Sequence, residues 1–244
     1  MFKLSIKTYM MIFLLFLIVL GFYEQNNFIN LTIQIIASVF TAVLLDLVIN
    51  YLKNKKFIFP SSAVISGLIV GMVLSSGQNI FYYVIASALA ILSKHILKFE
   101  NKHIFNPANL GLLLLNIFFG ASIGWWPVNI WFIIIPGLFI VFKIRRLHLV
   151  ISYLLAFVIL LMAYAYLKQG SIFDYFPLIN LYFVFVMLIE PKTSAFKLTA
   201  GIVFGCFVAV AGFISYLFLP KLDYLLVGLA LGNLFNSLNE RFKK

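Results

Sequence analysis

Ten stretches of 13 to 25 residues run through this 244-residue chain with almost no charge, and they decide what it can fold into. They lie at about 9–23, 28–52, 60–74, 80–97, 109–124, 129–141, 147–167, 175–188, 198–219 and 224–238. A helix needs roughly 20 mostly apolar residues to cross the hydrocarbon core of a bilayer. Hydrophobic residues make up 64% of the chain and charged residues 10%, against about 45–50% and about 25% in soluble domains. Too little polar surface is present to cover a water-soluble ball. Soluble enzymes, disordered chains and extracellular disulfide scaffolds are excluded. The expected fold class is an all-α polytopic membrane protein with about ten transmembrane helices. Several runs are shorter than a full span, which suits half-helices, re-entrant segments or spans that continue into their polar flanks.

The net charge of +11 then reads as orientation rather than as a nucleic-acid signal, because cytoplasmic loops of membrane proteins are rich in Lys and Arg. With the N-terminus inside, alternate segments hold Lys3 and Lys7, Lys53 to Lys56, Lys94 to Lys102, Lys143 to Arg146, Lys192 and Lys197, and Arg241 to Lys244. That places 16 basic residues inside, and only Lys168 and Lys221 outside. One miscounted span would scramble this alternation. Both termini are therefore expected in the cytoplasm, with anionic lipid headgroups as neighbours and no nucleic acid. The first run follows Lys3 and Lys7 as a secretory signal would, but no small-residue cleavage site follows it, so it reads as a retained span. Trp125, Trp126 and Trp131 cluster at one outside interface, as in an aromatic belt.

Ten spans divide into two halves of five, about 1–124 and 125–244, within a single membrane domain, 1–244. An odd number of spans per half gives the halves opposite orientations, the inverted-repeat plan that builds sites from broken helices near the midplane. No convincing internal sequence repeat accompanies it. The lone Cys206 lies in an apolar run and reads as a packing residue.

Ionisable groups inside spans are costly and become functional candidates. Asp46 sits in Ala-Val-Leu-Leu-Asp-Leu-Val-Ile. It is a candidate ion or proton site, or else an interfacial carboxylate paired with a lysine or a backbone donor. His95, His103 and His148 match no metal spacing and read as interfacial packing or lipid contact; no metal is expected. In Lys102-His103-Ile104-Phe105-Asn106-Pro107-Ala108-Asn109-Leu110-Gly111 a capping Asn precedes a Pro at a helix start. Such a start aims backbone N–H groups and a positive dipole end at what precedes it, and nearby lysines add charge. An anionic or polar-ring ligand would fit, as would a plain capped helix. The second break, Glu190-Pro191-Lys192-Thr193-Ser194-Ala195, sets an acid, a Pro and two hydroxyls at the end of a run.

The two breaks together resemble motifs of a known family, the NqrB and RnfD membrane proteins of the sodium-pumping NADH:quinone reductase and of the Rnf electron-transport complex. Members carry a Phe-Asn-Pro-Ala motif followed by Gly, here Phe105-Asn106-Pro107-Ala108 with Gly111. Members also carry an Asp-Pro-containing motif with hydroxyls at the end of a later span, which here reads Glu190-Pro191-Lys192-Thr193-Ser194, and Ser66-Gly67-Leu68-Ile69-Val70-Gly71 resembles the third-span sequence. The resemblance covers roughly 60–195. It implies about ten spans in a bacterial inner membrane, flavin (FMN or riboflavin) and quinone as ligands, and other electron-transport subunits as partners. It also implies that Asn106, Pro107, Asn109 and Gly111 contact a cofactor opposite Glu190, Thr193 and Ser194. In the pumping complexes FMN is attached to a Thr shortly after the Asn-Pro-Ala span. Here the stretch is Gly120-Ala121-Ser122-Ile123-Gly124-Trp125-Trp126-Pro127, without Thr, so noncovalent binding is expected instead. The chain reads as a short, divergent member. The competing functions are a non-redox solute transporter or channel, and an accessory membrane protein whose cofactor sites are lost.

Overall fold

The computed structural model describes residues 5–24, 28–55, 57, 59–100, 102–126, 130–195 and 197–242, without the side chains of 130, 131 and 240–242. Lys3, Lys56, Lys243 and Lys244, and the side chains of Trp131 and Arg241, lie outside the described residues. The chain forms two compact units, Met1–Phe132 and Ile133–Lys244.

The first unit is built from α1 (Ile6–Glu24), α2 (Phe28–Asn54), α3 (Ser61–Val73), α4 (Ile80–Ile96), a hairpin of β1 (Lys98–Phe99) and β2 (Lys102–His103), and α5 (Pro107–Phe119). Helix α2 packs on α3 and α4, α4 on α5, and α1 on α3. The solvent these helices suit can be read from α2. Its buried residues are Leu31, Gln34, Ser38, Ala42 and Asp46. Its exposed side chains include Ile29, Ile33, Ile36, Phe40, Leu44 and Val48. Polar-in and apolar-out is the reverse of a helix in water and matches a helix in lipid, where ionisable groups face the bundle interior.

Helices approach closely where side chains are absent. A Cβ on Gly67 would lie 2.7 Å from Val39 Cα, and one on Gly111 would lie 2.8 Å from the Ala90 backbone nitrogen. Small residues of this kind let membrane helices meet backbone to backbone. Both α3 and α5 have 13 residues, about 20 Å of helix against a hydrocarbon core of about 30 Å. Each continues as extended chain, and the two extensions pair. Leu74 bridges Ile123, Ser75 N–H donates to Ser122 O (3.1 Å) and Gly124 N–H to Val73 O (2.8 Å). The Gln78 side-chain amide donates to Ser122 O (2.8 Å) and accepts from Ser122 N–H (3.0 Å). Non-helical backbone is tolerated at membrane depth only when its polar groups are satisfied by protein in this way.

Helix α6 (Ile130–Lys143) crosses the division between the units and holds Pro136. The second unit then contains α7 (Leu147–Leu167), a 3-10 turn at Ile172–Leu178, a π-helical turn at Phe183–Met187, α8 (Leu198–Phe218) and α9 (Tyr224–Phe242). Helix α8 packs between α7 and α9, around Tyr153, Phe157, Phe183, Phe213 and Tyr224. The eighth apolar run, 175–188, one of the short candidates for a span or a half-helix, is not a continuous helix. Pro177 offers no N–H to a helix, Ile179 is extended, and Asn180 restarts the chain by accepting from Phe183 N–H (2.8 Å).

Among the described residues, four helices are long and apolar enough to cross a membrane: Ile6–Glu24, Phe28–Asn54, Leu147–Leu167 and Leu198–Phe218. Ser61–Val73, Ile80–Ile96, Pro107–Phe119 and Phe132–Lys143 are apolar but shorter. Trp126, expected in an interfacial belt, is only 3% exposed. Its ring lies 6.1 Å from that of Phe22 and against Gly21 of α1, because backbone pairing of Trp126 N–H to Met72 O (3.0 Å) draws it inward.

Candidate functional site

Asp46 lies on the inner face of α2 and is 1% exposed. Its Oδ1 accepts from Lys94 Nζ at 2.7 Å and lies 2.6 Å from His95 Nε2. Lys94 Nζ also donates to Ser62 Oγ at 2.8 Å. One carboxylate thus ties α2, α3 and α4 together, and two donors offset the cost of burying its charge. An ionised acceptor at this distance requires the His95 proton on Nε2. His95, expected in interfacial packing or lipid contact, is instead a buried partner of Asp46. The two stand 49 residues apart, so no local spacing points from one to the other. Lys94, which the sequence marks only as one of the positive-inside lysines, is equally part of this cluster.

The Asn-Pro-Ala segment starts α5. Asn106 is the cap, its Oδ1 accepting from Asn109 N–H at 3.1 Å, and Pro107 fills the first turn, where its missing N–H is harmless. Asn106 is 3% exposed and Asn109 is fully buried. Gly111 faces the α4 backbone. Its absent side chain therefore sets how closely α5 sits on α4. The basic stretch before the motif is an antiparallel hairpin pairing Lys98 with His103 and Phe99 with Lys102, which delivers Asn106 to the start of the helix.

The second segment is a compact turn in the other unit. Thr193 Oγ1 donates to Glu190 Oε2 (3.1 Å) and Ser194 Oγ to Glu190 O (2.7 Å). Glu190, Thr193 and Ser194 are therefore held together by their own hydrogen bonds. The turn offers its carbonyls to Arg146, whose guanidinium donates to Ala195 O and, at 3.2 Å, to Pro191 O. Asn236 of α9 donates to Thr193 O at 3.0 Å. Arg146 is 1% exposed, and burial pulls its pKa down from the usual 12.5 to about 10. It stays protonated at neutral pH. Sequence reasoning missed Arg146, because nothing local separates it from its exposed neighbour Arg145. Asn233, one turn before Asn236 on α9, is fully buried with no side-chain partner among the described residues.

The Asn106 and Glu190 segments belong to different units. Asp46 and the α5 start share the first unit, joined through α4.

Residues 3–130 match the model of the NQR2, RnfD, RnfE family. That is just over half of the chain, and it takes in α1 to α5 and the whole Asn106–Gly111 segment. No curated protein matches the chain.

Proposed function

The chain belongs to the NQR2, RnfD, RnfE family, membrane subunits of electron-transport and ion-translocating complexes, and from that premise we propose that it carries electrons through noncovalently bound flavin or quinone. The observation that carries this reading is the family match, which includes the helix start at Asn106. The α5 start suits a polar ring or an anion, since a helix N-terminus combines free N–H groups with a positive dipole end. In this reading Asn106, Pro107 and Asn109 contact the cofactor, and Gly111 lets α5 sit close on α4. Glu190, Thr193 and Ser194 shape a second polar edge, and Asp46 is the ion-linked carboxylate. FMN or riboflavin is bound without a covalent bond, because 120–127 holds no Thr. We read the whole chain as ten crossings in two inverted halves in a bacterial inner membrane, with both termini cytoplasmic. Other electron-transport subunits complete the complex.

The test is binding to the purified chain, with FMN, riboflavin and a short-chain quinone each supplied in excess. Absorbance of the desalted chain and fluorescence in a native gel should report bound flavin, or quenching of tryptophan fluorescence should report bound quinone, and Asn106→Ala should weaken it. A correctly assembled chain that binds none of the three overturns the reading.

A second reading, a non-redox transporter or channel, is favoured by the polar inner face of α2. Solute uptake into liposomes without any electron donor would select it.

A further inference from the structure

Helices α2 and α4 run side by side in the same direction, with a constant offset in residue number. Tyr83 OH donates to Gln34 Oε1 (3.0 Å), and His95 meets Asp46 (2.6 Å); both pairs are 49 residues apart. The same offset sets Ser87 level with Ser38 and Ile91 level with Ala42. Ala42 and Ile91 do pack together, with Ala63 of α3. The seam therefore has four layers, one helical turn or about 6 Å apart: Gln34–Tyr83, Ser38–Ser87, Ala42–Ile91 and Asp46–His95.

The layers differ in how far their polar groups are satisfied. Gln34 donates to Gly71 O (2.8 Å), and the single Tyr83 hydroxyl proton is shared between Gln34 Oε1 (3.0 Å) and Ser75 O (2.6 Å). Ala42, Ala63 and Ile91 form a dry layer with no exposed surface. Asp46 has its two donors. The serine layer has no satisfied side-chain group at all, and in the last layer His95 Nδ1 is also buried without a partner among the described residues. Ser38 and Ser87 are both fully buried, and neither hydroxyl has a partner among the described residues. A helical serine ordinarily bonds a carbonyl in the preceding turn, as Ser66 does to Ser62 O (3.0 Å) and Ser215 to Ala211 O (2.8 Å). A buried, unsatisfied hydroxyl is costly, and here two stand level on facing helices. Internal water is the guest that suits them, since it both donates and accepts and needs only a few polar partners. An opening lies one layer away. A pocket of about 100 Å³ opens at the Trp126 end, lined by Asn30, Gln34, Gln78 and Tyr83 among others, and its Gln34 and Tyr83 form the layer directly above the serines.

We propose that the α2–α4 seam is a water-filled half-channel, entered at the Gln34–Tyr83 pocket, holding water between Ser38 and Ser87, and closed by the Ala42–Ala63–Ile91 layer before it reaches Asp46. This does not depend on flavin or quinone binding. Water and a hydrated proton share the hydroxyl and amide oxygens. The dry layer stops either from reaching the Asp46–His95 pair.

The experiment uses single-cysteine variants of the full chain with Cys206→Ala, in membrane vesicles, and a small hydrophilic thiosulfonate reagent. The reagent is applied from the side on which exposed Ser122→Cys is labelled. Ser38→Cys and Ser87→Cys are then labelled, and Ala42→Cys and Ile91→Cys are protected. In proteoliposomes with an internal pH dye, the wild-type chain holds a proton gradient and Ile91→Ser dissipates it. Protection of both serine positions, or labelling of Ala42→Cys at the rate of Ser38→Cys, overturns the proposal. Should a cysteine variant fail to assemble, the melting temperature of Ser38→Ala with Ser87→Ala decides. A fall supports a bound water that loses its partners, and an unchanged or raised value means bare hydroxyls and overturns it.

Discussion

Asp46 and Arg146 each carry a buried charge that holds helices or turns in place, and each depends on a group far away in sequence. Removing the Asp46 carboxylate leaves Lys94 and His95 facing each other without a counter-charge. Breaking a buried pair in this way costs about 3–5 kcal/mol. Asp46→Ala should therefore lower the thermal stability of the detergent-solubilised chain strongly, and adding Lys94→Met should recover part of the loss. An Asp46→Ala variant as stable as wild type would refute the pairing. Arg146 serves two carbonyls with one planar fork, which an ammonium cannot reproduce. Arg146→Lys should lose about 1.5–3 kcal/mol, the worth of a hydrogen bond from a charged donor, as read from the same melting curves. Arg145→Lys, on the exposed neighbour, should change nothing measurable.

At the scale of elements, caps and close approaches do most of the local work. The α5 start is legible in the sequence, since Asn followed by Pro is a helix beginning on either of its readings, and the helix begins there. The role of Gly111 is not, because its meaning depends on α4 passing 2.8 Å from where a Cβ would be. Gly111→Val should force α4 and α5 apart at about 1–3 kcal/mol or more, the range for overpacked sites. Asn106→Ala should lose only about 1 kcal/mol, as helix caps do, and Asn106→Ser should restore it. Measuring stability beside ligand binding in these variants separates capping from cofactor contact. The run over 175–188 shows the converse: hydropathy marks an apolar stretch but not where it breaks, at Pro177 and Asn180.

Across the whole molecule, the basic residues set the orientation we propose. Reporter fusions placed in the segments around Lys55, Lys98, Arg145 and Lys197 should all report the cytoplasm. Fusions near Gln78, Ser122 and Lys168 should report the opposite side. Two adjacent fusions reporting the same side would remove a span from the count of ten. The short helices α3 and α5 make this test informative, because each continues as extended chain that pairs with the other's, a feature hydropathy cannot display.

What the sequence determined by itself was the solvent, the helical class and the capped start of α5. These follow from composition, apolar run length and capping chemistry, all local. It also held the polar inner face of α2, since Gln34, Ser38 and Asp46 recur at multiples of four. Only the tertiary structure decided what that face meets. Lys94 and His95 for Asp46, Tyr83 for Gln34, and likewise, in the other unit, the Pro191 and Ala195 carbonyls for Arg146 all lie 45 to 49 residues away. Separations of that length are set by which helix packs on which, and in what register. Close packing at glycines and buried polar pairs choose that register, and neither leaves a period in the chain.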